Sequence, residues 1–209
     1  MNQTQDFTKG VIWKQLLFFF FPILIGSFFQ QLYNTVDTII VGQTVGTSAL
    51  AAVGSTGNLT SLIVNFYVGL STGASVVIAQ YYGAQNEKKI HLAVHTSYIL
   101  AIVSGILMML FGLFFSYQCL DAIGTPHDIL NDATLYMQLY FLCMIPGAIY
   151  NIGAGILRAV GDSKRPLYYL IVCSIVNVVF DFIFVVIFHQ VIAGEAIATV
   201  IAQSVCAIL

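Results

Sequence analysis

The 209 residues are 59% hydrophobic and only 8% charged, with a mean hydropathy of +0.91. A soluble domain carries about 25% charged residues, so this composition excludes a water-covered fold, and a formal net charge of −2 gives no basis for a nucleic-acid partner. One crossing of a bilayer needs roughly 20 apolar residues, which leaves room for about six membrane helices and no separate soluble domain.

Six apolar segments follow in chain order, at residues 14–42, 57–82, 92–117, 134–158, 167–188 and 193–209. They are long and continuous and do not alternate apolar with polar residues, so strands are not expected. The first is longer than the roughly 7–15-residue core of a cleavable signal and carries no small-residue cleavage site. Inside it, Pro22 removes one amide from the helix ladder, which makes either a static kink or a bending point. Further on, Gln30, Tyr33, Asn34 and Asp37 recur at a spacing of three to four and form a polar stripe.

All seven basic residues fall on one side of this layout. Lys9 and Lys14 precede or open the first segment, Lys88 and Lys89 follow the second, and Arg158, Lys164 and Arg165 follow the fourth. The connection 118–133 carries Asp121, Asp128 and Asp132 instead. The positive-inside rule then puts the N-terminus and the connections 83–91 and 158–166 in the cytoplasm. His91 and His95 are four apart, but HLAVH has no Glu in second place and is not a zinc-protease motif.

The fifth segment holds the second mid-span carboxylate, Asp181, with Asn177 four residues earlier on the same helical face. An ionised carboxylate at membrane depth costs at least ~2.5–3.5 kcal/mol and is rarely kept without a task. Asn and Gln alone are explained as well by interhelical hydrogen bonds of about 1 kcal/mol. Two aspartates in different spans point further, to a shared ion or proton site. A buried carboxyl is harder to ionise, and a like-charged neighbour makes it harder still. A facing pair would therefore exchange protons or hold a monovalent cation.

The sixth segment rises about 25 Å, short of a hydrocarbon core near 30 Å, so the chain is expected to stop within or at the end of this span. Glu195 lies close to its start and is expected to be solvated there, the alternative being a third carboxylate at the mouth of the pocket. Cys119, Cys143, Cys173 and Cys206 are widely spaced and form no CxxC, so they are expected to act as small hydrophobes. No nucleotide-binding loop and no nucleophile–base pair is readable. Neither an enzyme nor a cofactor is expected.

Several stretches resemble the multidrug and toxic compound extrusion (MATE) family. They are FFFFPILIGSFFQQLYNTVDTIIVGQTVGTSALAAVG, AQYYGAQNEKKIHLA, GILRAVGDSKRPLYY, NVVFDFIFV and GEAIATVIAQ, in the family's order through most of the chain. The resemblance implies one six-helix lobe, residues 1–209, of an all-α transporter built from two pseudo-symmetric lobes and twelve helices, the second lobe being absent. It implies a cation- or proton-binding pocket of Asp37, Asn177, Asp181 and Thr199. The cavity around it would be lined by Gln30, Tyr33 and Asn151, with Pro22 as a hinge in the first helix. The family usually has a small residue where this chain has Glu195.

The expected activity is antiport in the cytoplasmic membrane: inward protons or sodium drive export of amphipathic or cationic organic compounds. Phe66 and Tyr67, with Tyr33, are expected to line an adaptable cavity. Two rivals remain. A lipid-linked oligosaccharide flippase of the same superfamily would need a cationic cavity, and no Lys or Arg stands at membrane depth. A non-transporting lobe, or one that needs a second chain as partner, is the other.

Overall fold

A computed structural model of the chain describes residues 11–45, 47–188 and 191–209, without the side chains at 12, 33, 34, 36–45, 47–53, 55, 58, 186, 191 and 192. The described residues are almost entirely helical. The helices are α1 (Ile12–Val45), α2 (Thr47–Gly83), α3 (Glu87–Ala122), α4 (Leu130–Phe141), α5 (Met144–Ala159), α6 (Lys164–Asp181) and α7 (Val191–Ile208). A short π-helical segment, Phe182–Ile187, continues α6.

Polarity is inverted relative to a soluble bundle. On α3 the buried positions are Ser97, Ala101, Gly105, Gly112, Ser116 and Leu120, mostly small and spaced by fours and a seven. Large apolar residues such as Leu92, Ile99, Leu107 and Phe114 point outward. In lipid there is no hydrophobic drive between helices, so close approach at small residues supplies the packing. Gly105 lets the backbone of Ile145 come to 3.0 Å from where a Cβ would stand, and a Cβ on Gly112 would fall inside the Phe141 ring.

The connections are short and conventionally capped. The side chain of Asn86 accepts the Lys89 amide at 3.2 Å and starts α3. Gly124 and Gly161 take the left-handed backbone at φ +84° and +87° that ends α3 and α5. Asp162 accepts the amides of Lys164 and Arg165, each at 3.1 Å, and pairs with the Arg165 guanidinium at 3.1 Å. Such turns reverse the chain between α2 and α3 and between α5 and α6, whereas α4 runs on into α5 through a bend.

Four helices are long and apolar enough to cross a membrane among the described residues, or five when α4 and α5 count as one bent crossing. The expected single span 134–158 is broken at Leu142 and Cys143 by a bend of 49°. Pro146 explains it: without an N–H it cannot take up the carbonyl of Leu142, and it sits comfortably in the first turn of a new helix. The last expected span is represented by Ala193–Ile208, too short to pass the same test.

Candidate functional site

The site is built where α6 and α7 run antiparallel. Three contacts set their register. The Cys206 thiol meets the carbonyl of Tyr169 at 3.5 Å, the Cys173 thiol donates to the carbonyl of Ala202 at 3.1 Å, and the Asn177 amide donates to the Thr199 hydroxyl at 3.4 Å. Each rung advances about four residues on α6 and retreats three or four on α7, one helical turn. Carried one turn further, that register reaches position 181 on α6 and position 195 on α7.

All four residues at these two levels are buried: Asn177 and Asp181 are 1% exposed, Glu195 4% and Thr199 6%. The expectation of a solvated Glu195 is therefore corrected. Glu195 shares one face of α7 with Thr199, Ala202 and Cys206, the face that packs on α6, and the hydroxyl of Tyr136 on α4 donates to its Oε1 at 3.5 Å. A signal for this was present in the sequence, because positions 195, 199, 202 and 206 follow the helical repeat of a single stripe. Immediately after Asp181 the backbone widens into the π segment, whose Phe188 amide bonds the carbonyl of Ile183 five residues back at 3.1 Å. Such wide turns occur often beside functional groups.

α1 approaches α6 at Gly26. A Cβ on Gly26 would touch Leu167 and Leu170 of α6, each at 3.6 Å. Asp37 follows eleven residues further along α1. Its side chain, and that of Tyr33, lie outside the described residues. Pro22 is half-buried inside a helix that remains continuous around it.

Other expected members fall elsewhere. Gln30 is exposed on α1. The side-chain amide of Asn151 donates to the carbonyl of Gly147 at 2.8 Å, and its own carbonyl accepts the Ser71 hydroxyl at 2.5 Å. Those bonds tie Asn151 to α5 and to α2, at the seam where a Cβ on Gly155 would strike Ser71. Tyr67 is a core residue, 3% exposed, and not a cavity wall, while Phe66 beside it faces outward. Among the described residues no group of three or more His, Cys, Asp or Glu is arranged to hold a metal. The four cysteines are free thiols, and three of them are buried.

The MatE family model matches residues 22–183. The probable multidrug resistance protein YoeA of Bacillus subtilis is 31% identical over 175 residues, which are 84% of this chain and 38% of that protein. The probable multidrug resistance protein YpnP of the same organism is 28% identical over 96% of this chain and 45% of its own length. Among solved structures, a MATE crystal structure in the bent conformation superposes with a TM-score of 0.87 at 28% identity, over 93% of this chain and 43% of the other. The chain thus spans less than half the length of the relatives it matches.

Proposed function

This chain belongs to the MatE family, and we propose that it is the amino-terminal lobe of a secondary antiporter that exports amphipathic or cationic organic compounds in exchange for protons or sodium. In this reading α4 and α5 together make one bent crossing and α7 a sixth. The N-terminus is cytoplasmic, and the lobe works in the cytoplasmic membrane against a second lobe.

The observation that carries the proposal is the group of buried polar residues on the packed helices α6 and α7, Asn177, Asp181, Glu195 and Thr199. Asp37, Asn177, Asp181 and Thr199 hold the coupling ion, and Glu195 joins them from the same face of α7. When sodium leaves or protons arrive, the charge of this dry pocket changes by whole units. That changes the desolvation cost of keeping α1 packed on α6 and so shifts the balance between inward- and outward-facing forms. Pro22 gives α1 a point at which to bend, since the ladder already lacks one hydrogen bond there. Gln30, exposed on α1, and Tyr33 meet the exported molecule. Asn151 acts at a distance, through the α2–α5 seam. A flippase for a phosphorylated lipid is less well supported, because the described polar group is acidic.

The test is ethidium efflux from energised cells expressing this chain together with a carboxy-terminal lobe of a MATE relative, beside the Asp37→Asn variant. Export by the first and none by the second is expected. Equal export by both would remove Asp37 from the coupling site.

A further inference from the structure

A cavity lies away from this site, between α2 and α3. It holds about 550 Å³ and runs from the α2–α3 turn toward the middle of the bundle. Gly69, Gly73 and Ala74 form one wall and Leu92, Thr96 and Leu100 the other, with Ile152 of α5 behind. A Cβ on Gly69 or Gly73 would meet nothing within 4 Å, so the missing side chains create the space. The two hydroxyls of the α3 wall are satisfied within their own helix: Thr96 donates to the carbonyl of Leu92 and Ser97 to that of Ala93, each at 2.8 Å. The groove is therefore apolar along its length.

Its mouth is cationic. The Lys89 ammonium is held 5.4 Å above the Tyr81 ring, and both residues line the opening. Lys88 follows the acidic Glu87 in the same first turn of α3, and His91 and His95 stand exposed beyond it. From Lys89 to Leu100 the groove is about 16 Å long, close to half of a hydrocarbon core of ~30 Å. A single extended hydrocarbon chain has the right section and reach.

We propose that this groove binds one acyl chain of an anionic phospholipid from the leaflet nearest the α2–α3 turn, with Lys89 holding the headgroup phosphate. By the distribution of basic residues that leaflet is the cytoplasmic one, where anionic lipids are concentrated. The proposal is independent of the coupling site and of the export activity.

Native mass spectrometry of the purified chain, with phosphatidylglycerol or phosphatidylcholine of the same acyl chains added, tests it. The wild type is expected to retain one phosphatidylglycerol about fivefold more strongly than phosphatidylcholine, the worth of one cation near the bilayer surface. Lys89→Gln abolishes that preference, whereas Lys88→Gln, an equal loss of charge, keeps it. Gly73→Leu fills the groove without a backbone clash and loses both lipids. Equal retention of the two lipids by the wild type, equal effects of the two lysine variants, or lipid retained by Gly73→Leu would each overturn the proposal. So would a lipid-free dimer that Gly73→Leu dissociates, because the occupant would then be a second copy of the chain.

Discussion

A buried carboxylate is tolerated only where partners or protons neutralise it, and Asp181 and Glu195 illustrate two ways of finding one. Asp181 stands out in the linear sequence because a charge interrupts the middle of an apolar run, and Asn177 one turn before it marks the face. Glu195 stands near a segment boundary, where solvation is the ordinary explanation. Only its place in the stripe shared with Thr199, Ala202 and Cys206 argues otherwise, and the structure puts it at 4% exposure beneath Tyr136. Glu195→Gln keeps an acceptor for the Tyr136 hydroxyl and removes one ionisable group. The thermal unfolding midpoint of the purified chain is expected to stay within a few degrees of wild type. Proton uptake on acidification is expected to fall by about one per chain. A large loss of stability with unchanged uptake would make Glu195 a structural residue only.

Among the elements, α3 shows how small residues order a membrane bundle. Its outward face is large and apolar and carries little information, whereas its inward glycines specify what lies against them. Gly112→Ala would drive a methyl group into the Phe141 ring, a steric conflict costing about 1–3 kcal/mol. Gly73→Ala adds the same methyl group where nothing lies within 4 Å. Thermal unfolding in detergent should therefore show a clear drop for the first variant and none for the second. The helical segments themselves were legible from apolar length and charge clusters. The break between α4 and α5 was not, because a count of apolar residues passes straight through Pro146, whose effect is on the backbone amide and not on hydropathy. Nor can hydropathy reveal Tyr67 as a core residue or Asn151 as a seam residue, since both depend on which face of a helix meets which neighbour.

At the scale of the whole molecule, the packed helices α6 and α7 bury Asn177 and Asp181 on the one and Glu195 and Thr199 on the other, and Asp37 of α1 is proposed to join them. Family resemblance named four of these positions from the sequence, and the α6–α7 rungs give two of them, Asn177 and Thr199, a direct hydrogen bond. The central claim is that this group binds the coupling ion. The most direct measurement is proton uptake by the purified chain in nanodiscs, in sodium-free buffer taken from about pH 8 to about pH 6, for the wild type and for Asp37→Asn/Asp181→Asn. Groups common to both proteins cancel in the difference. The account predicts that the wild type takes up about one to two more protons than the double variant, and that added sodium releases them. Identical uptake curves with no response to sodium would contradict it.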